Sequence, residues 1–325
     1  MTGSRNEWFF RRGELAAAPW QAVVDGSIPE WRHSGLRIAE VQAGQSVLLP
    51  AAGLERLLIP LAGSFDVTYS SGVAASGETG TETRAETGAG EPDAGERQSV
   101  RLEGRASVFD GPSDVLYLSA DSAATISGSG RIAVAEAPAT RILPSRHIKR
   151  SEVPVELRGA GRSSRQVHNF GVPGVLDADR FIVCEVITPA ENWSSYPPHK
   201  HDTRVPGEES RLEEIYYFES AVSRGLAAPE TADAFGYMRS YSSEAGEIDT
   251  LAEVRTGDIA LVPHGWHGPC VAAPGYDLYY LNVMAGPDEE RVWQISDDPA
   301  HGWIRQTWEG QDTDPRLPYD TTTME

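Results

Sequence analysis

Residues Ser194-Ser-Tyr-Pro-Pro-His-Lys-His-Asp202 decide how this chain is read. His199 and His201 are separated by one residue. On a strand the side-chain period is two, so both imidazoles point to one face and Lys200 to the other. Twelve residues beyond His201 begins Glu213-Glu-Ile-Tyr-Tyr-Phe218, a second strand-like run. Alternation puts Glu213 with Ile215 and Tyr217, and Glu214 with Tyr216 and Phe218. A third stretch, Gly257-Asp-Ile-Ala-Leu-Val-Pro-His-Gly-Trp-His267, opens on a turn pair and runs through an apolar strand. It ends with His264 and His267 about a Pro-x-Gly turn. His-x-His, then Glu, then a distant His offers three nitrogens and one oxygen. That set suits one divalent transition metal (Zn, Mn, Fe or Ni) with positions left open for substrate.

The rest of the sequence agrees with a β-rich body around these motifs. Short runs such as Leu36-Arg-Ile-Ala-Glu-Val41, Arg56-Leu-Leu-Ile59, Ser64-Phe-Asp-Val-Thr-Tyr69 and Arg180-Phe-Ile-Val-Cys-Glu-Val-Ile187 are β-branched, aromatic or leucine-rich. The 32 Gly and 22 Pro cut the 325 residues into segments too short for long helices. Ala300-His-Gly-Trp-Ile-Arg305 reads as part of a short terminal helix, weakened by Gly302.

Residues 71–98 stand apart. They are mostly Gly, Ser, Thr, Ala and Glu, with Val73 as the one larger aliphatic residue, too few to offset ordering entropy. They read as an acidic, flexible insertion between two strands. A composition shift at 140–165 reads as a linker, which divides the chain into 1–150 and 151–325. The polar stretch after Glu309 is expected to lie over the surface or fray.

The formal charge of −20 disfavours nucleic acid or an anionic membrane surface as partner, since either requires a basic patch. No run of about 18 apolar residues exists, and the first residues carry no charged-then-apolar pattern. Cys184 and Cys270 are therefore read as reduced thiols of a cytoplasmic protein.

His199, His201, the Glu213–Glu214 pair and His267 resemble the cupin signature. Gly257, Asp258, Pro263 and Gly265 complete its second motif. The long spacer between His201 and the glutamates narrows the match. Pro197-Pro-His-Lys-His-Asp202, Leu212-Glu-Glu-Ile-Tyr-Tyr217 and Asp277-Leu-Tyr-Tyr-Leu-Asn-Val-Met-Ala-Gly-Pro287 resemble the 5-deoxy-glucuronate isomerase family of inositol catabolism. The 5-keto-4-deoxyuronate isomerases are looser relatives. The resemblance is strong over about 180–305 and thin before 160. It implies an all-β bicupin, two jelly-roll barrels of which only the second holds metal. It implies a small anionic sugar acid as substrate and is compatible with a homo-oligomer. It departs from the family at His264, where Lys or Arg is usual, and at the 71–98 insertion.

Neither spacing nor strand faces choose between the two glutamates. The related uronate isomerases place an apolar residue and then Tyr after the ligand, which selects Glu214. The expected ligands are then His199, His201, Glu214 and His267, with Glu213 left to a structural salt bridge. The family's aldose–ketose isomerisation converts 5-deoxy-D-glucuronate to 2-deoxy-5-keto-D-gluconate and needs a proton shuttle and a carboxylate-binding donor. Candidates on strand-like segments are Tyr216, Tyr279 and Tyr280 for the proton, and Arg180 and Arg239 for the carboxylate. Trp193 and Trp266 flank the metal motifs and would wall the pocket or pack in the core. A cupin dioxygenase would use the same ligands. A storage-type bicupin would have no need of them.

Overall fold

The computed structural model describes residues 6–72 and 97–320, so most of the insertion read from the sequence (73–96) lies outside the described residues. Three antiparallel sheets account for the strands. The first contains Ala22–Val24, Gly35–Val41, Ala123–Pro138, Leu54–Ser70, Val115–Leu118 and Arg146–Ile148 in that spatial order, with Ser46–Leu49 and Arg97–Arg105 paired to its long strands. The central sheet runs Phe9–Phe10, Ile259–Val262, Glu213–Val222, Tyr276–Ala285, Ile182–Thr188, Arg165–Gly171, Val155–Arg158. The outer sheet runs Gly246–Val254, Gly236–Ser243, Trp266–Ala272, His199–Lys200, Ser296–Asp297. The expected all-β architecture is present.

Alternation along the central strands gives that sheet two apolar faces. Ile187, Ile215, Tyr217, Leu281 and Val283 share one core with Leu57, Ile59 and Ala135 of the first sheet. Cys184, Tyr216, Phe218, Tyr280 and Met284 share another with Met238, Ala252 and Cys270 of the outer sheet. The first sheet also closes on itself around Leu58, Phe65, Val67, Ile126 and Val134. It can do so because its longest strand bends. A bulge falls between Pro60 and Ala62, and Gly63 follows at φ 88°. A Cβ on Gly63 would stand 2.0 Å from the Ser129 carbonyl oxygen of the neighbouring strand, so this corner requires glycine. Arg56–Ile59 and Ser64–Tyr69, read from sequence as two strands, are therefore one strand around a corner.

A reciprocal clasp joins the halves. Glu55 accepts the backbone N–H groups of Asp179, Arg180 and Phe181 at 2.6, 2.7 and 2.9 Å. Glu213 accepts those of Arg32, His33 and Ser34 at 3.2, 2.7 and 2.7 Å. Both glutamates follow a leucine at or near the start of a long strand, Leu54-Glu55 and Leu212-Glu213. Architecture thus exposes a duplication that the sequence hides. By this correspondence Arg56 occupies the place that Glu214 has in the second half. Arg56 is buried, with its Nε 2.8 Å from Glu136. Beside the clasp, Arg105 and Glu185 form a fully buried bidentate pair at 2.6 Å per contact, and His168 Nδ1 and the Tyr279 hydroxyl close on the same carboxylate.

Three further expectations change. Within the supposed linker, Val155–Arg158 and the start of Arg165–Gly171 are paired strands of the central sheet. The tail does not fray through its described length: Leu317 and Tyr319 are buried in the core between the halves, and Tyr319 N donates to Gln166 Oε1 at 2.6 Å. The terminal helix is a 3-10 helix, Gly302–Trp308.

Candidate metal centre

Local pairing brings the histidines together. His199 lies directly opposite His267 in the outer sheet. His201 follows within the next turn, held where Leu212 N donates to its carbonyl at 2.8 Å. Glu214 faces them from the central sheet, between Val262 and Met284. Each imidazole has its Nδ1 on a backbone carbonyl: His199 on Pro197 at 3.2 Å, His201 on Leu212 at 3.0 Å, His267 on Gly265 at 3.1 Å. A carbonyl only accepts, so Nδ1 carries the proton, and in the neutral ring the lone pair is then on Nε2.

The Nε2 atoms of His201 and His267 each lie 3.1 Å from the same oxygen, Glu214 Oε2. The ligand atoms of these three buried residues lie within 4.8 Å of one another. His267 Nε2 is buried and has no hydrogen-bond partner among the described residues. A ring lone pair facing a carboxylate is repulsive unless a cation stands between them. Two such contacts converging on one buried oxygen fit a shared metal ion, and the group can hold one. His199 stands at the edge, its ring centroid 4.6 Å from His267 and 6.3 Å from His201. Burial, with His267 and His201 beside it, holds the His199 ring well below its ordinary pKa.

Behind the cluster Asp202 ties its parts together. Its carboxylate accepts from Gly265 N, Ser243 Oγ and Lys200 Nζ. Gly265 in turn supplies the carbonyl that orients His267. Lys200 points away from the ligand face, as alternation requires, and lies between Asp202 and Glu209.

A pocket of about 420 Å³ opens on the cluster. His199, Glu214, Tyr216, Ser195, Asn282, Tyr280, Arg158, Arg165, Trp293 and Arg305 line it. The Tyr216 hydroxyl is 3.1 Å from Ser195 Oγ. Of the candidates read from sequence, Tyr216 and Tyr280 reach this pocket and Tyr279 does not. It lies on the opposite face of the same strand, and its hydroxyl donates to Glu185 at 2.7 Å. Arg180 lies elsewhere, bonded to the Asp288 carbonyl, and Arg239 pairs with Asp249 on the outer sheet. His264 turns outward, its Nε2 at 3.2 Å from the Glu247 carbonyl. Trp193 is 41% exposed, and Trp266 lies under the Lys200 ammonium; neither walls the pocket. Among the described residues Glu213 makes no salt bridge and serves the clasp. Asn282 had a visible signal, since it stands two residues after Tyr280 and shares its face. Arg158 and Arg165 had none, because the glycine-rich stretch between them masks two strand ends.

Two closed antiparallel units in tandem, the second with a buried histidine–glutamate cluster, define a bicupin. Solved structures agree: the oxalate decarboxylase of Lactobacillus farciminis superposes at a TM-score of 0.54, covering 85% of this chain and 82% of that one, at 10% identity. The chain belongs to the KduI/IolB family, whose model matches residues 10–304. An IolB-like protein of Salmonella typhimurium LT2 is 31% identical, with a TM-score of 0.74 over 91% of this chain and 98% of that one. A protein named 5-deoxy-glucuronate isomerase from Geobacillus thermodenitrificans (strain NG80-2) is 45% identical over 176 residues. That alignment takes 54% of this chain and spans 59% of the relative, less than two thirds of its length. Its namesake from Bacillus subtilis (strain 168) is 40% identical over 203 residues, 62% of this chain and 70% of that protein.

Proposed function

We propose that the protein is a metal-dependent aldose–ketose isomerase that converts 5-deoxy-D-glucuronate to 2-deoxy-5-keto-D-gluconate. The observation that carries this is the buried donor cluster opening on a sugar-sized pocket, in a chain whose curated relatives bear that enzyme's name. His199, His201, Glu214 and His267 would hold one divalent ion. Bound there, such an ion supplies Lewis-acid polarisation of a carbonyl oxygen. The division of labour proposed is a ligand-free barrel over 1–150 and a catalytic barrel over 151–325. Cys184 and Cys270, both buried and unpaired, fit a reducing compartment such as the cytoplasm.

The reaction is an internal exchange. A proton leaves the hydroxyl-bearing carbon and is returned to the neighbouring carbonyl carbon. The hydroxyl oxygen gives up its proton and the former carbonyl oxygen gains one. Nothing is consumed, so the protein needs only to orient the vicinal oxygens and move protons. Backbone carbonyls fix the three imidazoles. Tyr216, with Ser195 beside its hydroxyl, is the proton-carrying side chain next to the cluster, and Tyr280 extends that wall. Incubating the protein with 5-deoxy-D-glucuronate and following the ketone by carbon-13 NMR tests the proposal. Ketone formation that stops on chelation supports it; no ketone at full metal occupancy overturns it.

A further inference from the structure

Two arginines stand directly opposite each other in the central sheet: Arg158 pairs with Arg165 across neighbouring strands. Like charges in such a pair are destabilising, so each needs an account of its own. Arg158 has one in Glu156, bonded through both carboxylate oxygens at 2.9 and 2.8 Å. Nearby Arg305 has one in Asp297, at 2.5 and 2.6 Å. Arg165 has none. It is 5% exposed, and among the described residues its guanidinium bonds only two carbonyls, Ser163 at 2.9 Å and Tyr196 at 3.4 Å. Burial, with Arg158 and Arg305 added, pushes its pKa down to about 10 against the pull of Tyr280. It stays charged at neutral pH, buried, and with donors to spare.

Other donors on the same pocket wall also lack partners. Among the described residues, neither the side-chain amide nitrogen of Asn282, 5% exposed, nor the Trp293 indole nitrogen has a hydrogen-bond partner. The pocket is lined by Glu214 and Asp297 as well as by these donors, but Arg165 is the buried cation of its lining that no carboxylate pairs among the described residues, and such a cation with donors to spare is complementary to an anion with further oxygens. Gly159 sits at φ 76°, where a Cβ would meet the Ser163 carbonyl oxygen at 2.1 Å and Arg165 Nη1 at 2.6 Å, so the turn that leads into the Arg165 strand requires glycine. The Arg165 strand lies three strands from that of Glu214, roughly 14 Å at the usual inter-strand spacing. An arginine side chain and a six-carbon chain together span that gap.

We propose that Arg165 receives the substrate's carboxylate and makes the site selective for sugar acids over neutral sugars. The assignment rests on the reading of the site given under Proposed function. With the carboxylate on Arg165, the opposite end of the acid is presented to the histidine cluster. The substrate then enters in one orientation.

The test compares wild type, Arg165→Gln and Arg165→Lys as full-length, metal-loaded protein. Calorimetry with glucuronate, glucose and glucose 6-phosphate is joined to thermal melting, metal content and turnover of 5-deoxy-glucuronate. Wild type should prefer glucuronate to glucose. Arg165→Gln should weaken glucuronate binding, and raise KM, about tenfold to a hundredfold. Its glucose binding, metal content and kcat should change by no more than a few-fold, and its melting temperature should hold or rise as an unpaired buried charge is removed. Arg165→Lys should recover part of the loss. Undiminished glucuronate binding in Arg165→Gln overturns the assignment, as does a preference of wild type for glucose 6-phosphate. Equal loss of acid and neutral sugar with a lowered melting temperature also overturns it, in favour of a structural role. Arg165-dependent glucuronate binding without ketone formation would sink the isomerase reading and leave this one standing. Ketone formation with Arg165→Gln unimpaired would do the reverse.

Discussion

Glu213 and Glu214 stand side by side in the chain and face opposite ways. One Glu214 oxygen stands 3.1 Å from the Nε2 atoms of both His201 and His267, so Glu214→Gln should empty the site of metal and abolish turnover, as read by elemental analysis and the NMR assay. Glu213 faces the first half and accepts three backbone N–H groups and the Ser34 hydroxyl. Glu213→Gln should keep the metal but cost about 1–3 kcal/mol in denaturant unfolding, because an amide cannot accept from all of those donors. Loss of metal in that variant would show that the strand faces are assigned wrongly. The alternation that separates the two residues was legible in Glu213-Glu-Ile-Tyr-Tyr-Phe218, and so was the convergence of His201, Glu214 and His267. The partner of Glu213 was not, since it lies 179–181 residues away in a loop that no local pattern marks.

Strands were legible where apolar runs were clean, as in Ile182–Thr188, and illegible where a bulge or glycine let one strand turn a corner, as in Leu54–Ser70. The stretch 140–165 misled for a different reason. Arg, Gly and Ser look like a linker, yet Arg158 and Arg165 are strand residues whose charges point into a pocket. Leu54–Ser70 and Arg97–Arg105 form a hairpin in which Ser70 is already paired with Arg97. The insertion read as 71–98 therefore ends before Arg97. Replacing 73–96 by a two-residue turn should leave melting temperature and turnover within experimental spread, because the hairpin closes without it and loop entropy changes slowly with length. A tenfold loss of turnover would assign that segment a role at the site. The segment joining the halves carries its own pH dependence. Asp179 is buried, which opposes ionisation, but donors from Arg141 and Thr140 hold its carboxyl down at about 2. The folded value lies below the unfolded one, so this contribution is complete above about pH 4 and is lost as pH falls toward 2. Asp179→Asn should flatten the fall of the urea midpoint between pH 5 and pH 3; an unchanged slope would remove Asp179 from the account.

At the scale of the molecule, the C-terminal tail is a fastener between the halves. Tyr319 is buried in the shared core and its backbone bonds Gln166 in both directions. Tyr319→Ala should cost about 3–5 kcal/mol in chemical unfolding with the metal site intact in the folded protein. A cost below 1 kcal/mol would return the tail to the surface. Neither the fastener nor the clasp was legible, because both depend on residues far apart in the chain meeting at one interface. That interface also sets an order of events at the ribosome. The first sheet is complete once Arg146–Ile148 has emerged, but the strand Tyr276–Ala285 that helps to cover its apolar face is made over a hundred residues later. At about 5–20 residues per second the interval is roughly 6–27 s. Through that time Leu57, Ile59 and Ala135 face water, and Phe9–Phe10 waits for Ile259–Val262 before it can pair. The first half is thus made before the strands that cover its apolar face.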